Sequence, residues 1–136
     1  MNTKTIKVHV LHYKEKQILD LPAIYSHLVC GAAINETTTE FNKDNSGDNI
    51  SSRNKYFSEL TGIYWVWKNT SSDIVGFCHY RRFFTIKAEP YYLKVRRWLY
   101  FLAGLYRRRK GLIYTSNIKH FQKNIISSKE IQNILN

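Results

Sequence analysis

The 136-residue chain is the size of one domain, and its 43% hydrophobic content excludes wholesale disorder. Its net charge of +11 is one-sided: residues 1–80 hold eight basic and eight acidic side chains, whereas residues 81–136 hold thirteen basic ones against Glu89 and Glu130. A basic half suits a polyanionic partner such as a membrane surface, nucleic acid or phosphorylated substrate, while Cys30 and Cys78 form no CxxC pair and give no support to a zinc knuckle or redox motif.

Residues 5–13, TIKVHVLHY, alternate in polarity and predict a first strand that reaches His12. Met1 to Lys7 run into it without the features of a signal peptide, so a reducing, cytoplasmic setting is expected. Both cysteines sit in apolar surroundings and are expected as buried thiols. Lys14 to Pro22 reads as a loop, and IYSHLVCGAA (24–33) as a short apolar element whose type the pattern leaves open. Residues 35–55 are polar and read as a long loop, a feature that is functional or disordered in most compact domains. Residues 55–69 are the strongest helix: Phe57, Leu60, Tyr64 and Trp67 recur at helical spacing on one face. Asn54 is the expected N-cap, and Glu59 lies near the positive end of the dipole. After a turn, DIVGFCH (73–79) predicts a central strand buried on both faces. Strand, loop, helix, strand is the grammar of an α/β domain.

Residues 90–114 are a separate basic and aromatic piece. The uncharged stretch from Trp98 to Tyr106 is nine residues long, against roughly 20 needed to span a bilayer. An interfacial helix over 91–113 is expected, with Val95, Leu99, Leu102 and Tyr106 on one face beside Arg96, Arg97 and Arg107 to Arg109. At the end of the chain, Ser127 precedes Glu130 in a capping-box pattern, followed by an apolar stripe of Ile131, Ile134 and Leu135. The domain reading is therefore 1–85 as an α/β portion, 86–115 as an amphipathic insertion, and 116–136 as the start of a further helix of a domain that continues.

The run GDNISSRNKYFSELTGIYWVWKN (47–69) followed by DIVGFCHYRRFF (73–84) resembles a bacterial family known only as a domain of unknown function. It is met in capsular and exopolysaccharide gene clusters and described as glycosyltransferase-like. The matching positions are Asp48 to Ser51, Asn54, Glu59 to Thr61, Tyr64 with Trp65, Trp67 to Asn69, and His79 to Phe84. The resemblance implies the N-terminal portion of a GT-A-like, Rossmann-like nucleotide-sugar domain. It also implies transfer of a sugar from a nucleotide-sugar donor to a lipid-linked saccharide acceptor, at the cytoplasmic face of the membrane. The runner-up is a truncated, non-catalytic fragment that binds an anionic membrane surface.

Given the resemblance, His79, Arg81 and Arg82 are the expected catalytic residues. An arginine fork beyond a strand end neutralises the departing diphosphate, and His79 acts as donor or base. His12, Asp48, Asn49, Asn54 and Glu59 are the expected donor-binding residues, with Glu59 as an anchor for Arg81 or Arg82. His12 and His79 are expected at the carboxyl ends of neighbouring or near-neighbouring parallel strands, with the 55–69 helix on the sheet. Trp65 and Trp67 are residue types that pack more often than they stack on sugars. Glycosyltransferases of this fold often hold a divalent metal with Asp-x-Asp. No two of Asp20, Asp44, Asp48 and Asp73 have that spacing, and Asp44 with Asp48 gives only a weak outline, so no cofactor is evident in this stretch, and the resemblance leaves a divalent metal open for the full-length family. Nucleic acid is not an expected partner, since the chain has no zinc finger, RNA-recognition signature or helix-turn-helix.

Overall fold

The computed structural model describes residues 4–13, 19–37, 40–88, 91–102 and 122–135. The chain divides into two compact units, Met1–Phe84 with Ile126–Asn136, and Thr85–Ile125. The first unit is built on four strands, β1 (Ile6–His12), β2 (Tyr25–Val29), β3 (Asn42–Lys43) and β4 (Ile74–His79). All three pairings are parallel, in the order β3-β2-β1-β4. The α/β expectation holds. The undecided 24–33 element contributes a strand, and the polar 35–55 stretch contributes β3 and a helical turn at Ser51–Arg53.

This order places a topological switch point between β1 and β4: the chain builds outward from β1 to β3, then returns to the other side of β1. In open parallel sheets the crevice outside the carboxyl ends at such a point is where ligands bind. Leu11 of β1 is in register with His79 of β4, so His12 and His79 end neighbouring parallel strands, as expected.

One face of the sheet packs on a helix. Leu11, Leu28 and Cys30 form a buried cluster with Val66, joined by Ile63, Trp65 and Phe77. The approach is close because residue 62 is glycine: a Cβ there would meet the Cys30 sulfur at 2.5 Å. On the other face, the Tyr25 hydroxyl donates to the Ile126 carbonyl at 3.0 Å. Ile126 leads into a helix at Ser128–Leu135, whose start has the predicted capping box: Ser127 donates its backbone N–H to Glu130 at 2.8 Å, and its hydroxyl accepts from the Glu130 N–H. Cys30 and Cys78 are buried and free, and burial pushes both thiols up to about 12.

Two expectations are corrected. The 55–69 helix is broken into α1 (Asn54–Phe57) and α2 (Leu60–Asn69), with Ser58 between them at φ 48°. That left-handed conformation costs about 1–3 kcal/mol in a non-glycine residue, and it is held by three donors on the Ser58 carbonyl: Asn54 Nδ2, Thr61 Oγ1 and the Thr61 N–H. Asn54 is thus a buried clamp inside α1 and not an N-cap. The break also turns the helix, so Thr61, Gly62 and Val66 face inward while Phe57, Leu60 and Trp67 are exposed. The second correction concerns β4. Among the described strands it lies at the sheet edge, and only Cys78 in it is buried; β1 and β2 are the central pair.

His9 sits on β1, only 4% exposed, with its ring 6.1 Å from that of Phe77. Among the described residues neither of its ring nitrogens has a hydrogen-bond partner. Burial, and then the charge of Lys7, lower its pKa below the ordinary 6.5, and burial lowers His27 and His79 as well. Such a ring stays neutral in the fold while the unfolded chain takes up a proton near pH 6.5. The stability is therefore complete above that pH and is lost as the pH falls below it. His9→Leu is expected to gain about 1 kcal/mol at pH 7.5 by removing the unsatisfied nitrogens. It should also lose less stability than the parent between pH 7.5 and 5.5 in urea titrations. An unchanged acid sensitivity would assign the effect to other groups.

The second unit contains α3 (Tyr91–Leu102), and within it Lys87 donates to the Lys123 carbonyl at 2.5 Å. The remainder of the expected 91–113 helix, with Tyr106 and the basic run at 107–110, lies outside the described residues. Among the described residues no helix is long and apolar enough to cross a membrane.

Candidate functional site

The carboxyl ends of β1 and β4 carry a column of stacked rings. His12, the last residue of β1, is 1% exposed. Its Nε2 lies 2.8 Å from His27 Nδ1. One of these two nitrogens carries the shared proton and the other accepts it. Phe41 closes the inner end, stacked on His27 with ring centroids 4.5 Å apart and 5.3 Å from His12. On the other side Tyr80, the residue after β4, stacks on His12 at 5.6 Å and touches His79 at 4.2 Å. The Arg81 guanidinium carbon lies 5.0 Å from the centre of the Tyr80 ring, and Arg81 is exposed. The column runs from the half-buried rings of Phe41 and His27, through the buried His12, to a cation at the surface.

A second contact set fixes the turn that carries Arg81. The Arg81 N–H donates to His79 Nδ1 at 3.2 Å, and the Arg82 N–H donates to the His79 carbonyl at 2.8 Å. With Nδ1 accepting, the proton of the neutral ring is on Nε2, which faces Glu59 Oε1 at 3.5 Å. Burial lowers the pKa of His79; Glu59 opposes this, and Arg81 and Arg82 add to it. The Nδ1 lone pair accepts from the Arg81 N–H, so His79 helps to position the turn. The expected partner of Glu59 was an arginine; the structure gives it His79, because the break at Ser58 brings Glu59 to the head of α2, beside the end of β4.

Asp48 and Asn49 do not join this group. Asp48 accepts from the Tyr64 hydroxyl at 3.0 Å and pairs with Lys68 at 3.7 Å, and its carbonyl accepts from Asn69 at 2.9 Å. Tyr64 lies mid-helix in α2, and Lys68 and Asn69 lie at the end away from Glu59. Asn49 folds onto its own loop, donating to the Gly47 carbonyl and accepting from the Ser51 N–H. Asn54 bonds Ser58 and Thr61. Arg82 is exposed beside Arg81.

The weak metal outline is likewise redirected. Asp44 is fully buried, and its carboxylate accepts from the N–H groups of Gly31 and Ala32 at 2.8 and 3.0 Å and from the Ser51 hydroxyl at 2.5 Å. With Asp48 occupied by Tyr64 and Lys68, neither carboxylate presents a free oxygen pair to a cation. Among the described residues no group of three His, Cys, Asp or Glu could hold a metal ion. These side chains do not fit one.

The family model that describes a domain of unknown function, DUF4422, matches residues 7–136. The chain belongs to the DUF4422 family. The apo structure of the bifunctional glycosyltransferase WbbM is similar to this DUF4422 chain at 27% sequence identity and a TM-score of 0.69, over 96% of the chain. The chain spans 21% of that protein's length. No curated protein matches it significantly. The parallel α/β sheet is thus similar to that of a segment of this glycosyltransferase. Sequence reading missed Tyr80, His27 and Phe41. Tyr80 lay inside the quoted HYRR run but was passed over for its charged neighbours. A strand reading of 24–33 would have placed Tyr25, His27 and Val29 on one face. Phe41, alone in a polar stretch, carried no signal.

Proposed function

We propose that this chain forms the donor side of a nucleotide-sugar glycosyltransferase of bacterial surface polysaccharide synthesis. In this reading Arg81 holds the diphosphate, Tyr80 presents it, and Glu59 with His79 fixes the turn. The observation that carries the reading is the stacked column ending in an exposed guanidinium at the switch point. A guanidinium lying over a ring keeps its N–H edges free to fork onto phosphate oxygens. Charge that builds on the leaving diphosphate is then met by a cation already in place, which lowers the barrier without reorganisation. Arg82 adds a second cation at the next residue. The capsular or exopolysaccharide setting and a lipid-linked saccharide acceptor at the cytoplasmic face of the membrane follow from the family resemblance. No step is assigned to a metal, since the carboxylates in place do not suit one.

The test is isothermal titration of the full chain with uridine, guanosine and adenosine diphosphates and their glucose or galactose conjugates. Saturable binding of at least one nucleotide, with a dissociation constant on the order of 1 µM to 1 mM, is expected. Absence of binding by every diphosphate would remove the donor-site reading.

A further inference from the structure

We infer that α3 is a docking surface for an anionic phospholipid bilayer, lying in the headgroup layer. This goes beyond the donor-site reading and does not depend on it. Tyr91, Val95, Trp98, Leu99 and Leu102 occupy positions i, i+4, i+7, i+8 and i+11 of the helix, which places them on one stripe. All five are exposed, Trp98 by 61% and Leu102 by 60%. A stripe of that kind in a helix packed on its own core would be covered. Lys94 and Arg96 flank it, one on each side, and both are exposed. Residues 85–125 hold ten Lys and Arg against the single acidic Glu89, so nearly the whole net charge of +11 belongs to this unit. Exposed apolar side chains bordered by cations match the two layers of an anionic membrane surface, acyl chains below and phosphates above. Trp98 and Tyr91 are the amphipathic aromatics that settle at headgroup level. The uncharged stretch from Trp98 to Tyr106 is nine residues, against roughly 20 needed to cross a hydrocarbon core. It lies on the surface.

The experiment is co-sedimentation of the full chain with vesicles of phosphatidylcholine alone and with 30% phosphatidylglycerol, at low salt and at about 0.5 M salt, where charges are screened within a few ångströms. Binding to the anionic vesicles alone, weakened by salt, is expected. Trp98→Ser with Leu99→Ser should reduce partitioning by about tenfold or more. Lys94→Gln with Arg96→Gln should reduce it by about 30-fold, near fivefold for each cation removed. Far-UV circular dichroism and the urea midpoint should match the parent in both variants, since the side chains removed are exposed. Equal binding to both vesicle types, or none to either, would overturn the inference. So would sedimentation equilibrium showing a dimer that the serine variant abolishes, since the stripe would then be an interface between copies. Salt-sensitive binding of single-stranded RNA through these residues, without vesicle binding, would also overturn it.

Discussion

Arg81→Ala should abolish measurable diphosphate binding, lowering affinity by about 10²-fold, and should reduce sugar transfer by a factor on the order of 10²–10³. The reasoning is local. Arg81 is exposed and makes its side-chain contact with the Tyr80 ring, so its removal leaves no buried group unpaired and the urea midpoint should stay within about 0.5 kcal/mol of the parent. Arg81→Lys keeps the charge but loses the planar fork and the stacking, and should recover only part of the affinity. Tyr80→Leu keeps an apolar side chain over His12 while removing the platform, and should weaken binding with Arg81 still present. Arg82→Ala is the internal comparison. If it abolishes binding while Arg81→Ala does not, the clamp has been assigned to the wrong arginine. If neither variant changes the titration, the diphosphate is not held at this turn.

The parts of this fold that could be read from sequence are those governed by short-range pattern. The alternation in TIKVHVLHY gave β1, and the apolar run at 74–79 gave β4, together with the placement of His12 and His79 at adjacent strand ends. What could not be read depended on contacts distant along the chain. The helix at 55–69 has a sound apolar stripe in Phe57, Leu60, Tyr64 and Trp67, yet its buried side is Thr61, Gly62 and Val66. Two facts override the stripe: Ser58 breaks the helix, and Gly62 lets α2 approach Cys30 and Leu11 more closely than any other residue would allow. Neither is visible in a 3.6-residue period. At the candidate site, the motif marks His79, Arg81 and Glu59, which the structure brings together, but not their contacts. The Glu59 partner depends on where the broken helix begins, and the role of His79 depends on an N–H two residues later in a turn. An acidic residue beside a glycine looks like a ligand loop, whereas Tyr64, Lys68 and Asn69 anchor Asp48 to α2.

The largest stability effect is expected at Asp44, a residue the motif reading treated only as a weak metal outline. Its carboxylate is fully buried and takes three donors: the N–H groups of Gly31 and Ala32 and the Ser51 hydroxyl. Ser51 in turn accepts from the Ala33 N–H at 3.0 Å. One side chain from the end of β3 thereby holds the whole turn that follows β2. That turn has no slack. Gly31 has φ 75°, and a Cβ on it would come within 2.5 Å of the Asn54 side chain, the same Asn54 that braces the Ser58 break. Asp44→Ala leaves the buried Gly31 N–H, the half-buried Ala32 N–H and the Ser51 hydroxyl without an acceptor, and each such loss costs about 1–3 kcal/mol. Together about 3–5 kcal/mol is expected, enough to unfold much of a domain whose total stability is on the order of 5–15 kcal/mol. Asp44→Asn retains one acceptor oxygen and should cost roughly half as much. Ser51→Ala, which removes the hydroxyl and leaves both Asp44 bonds to the backbone, should cost about 1 kcal/mol. Urea denaturation followed by tryptophan fluorescence gives the ranking, and hydrogen exchange at the Gly31 and Ala32 amides reports the turn itself. The expected order is Ala worst, then Asn, then the serine variant, with both amides exchanging faster in each Asp44 variant. An Asp44→Ala protein within about 0.5 kcal/mol of the parent, or one whose Gly31 amide stays protected, would show that the turn is held by something other than this carboxylate.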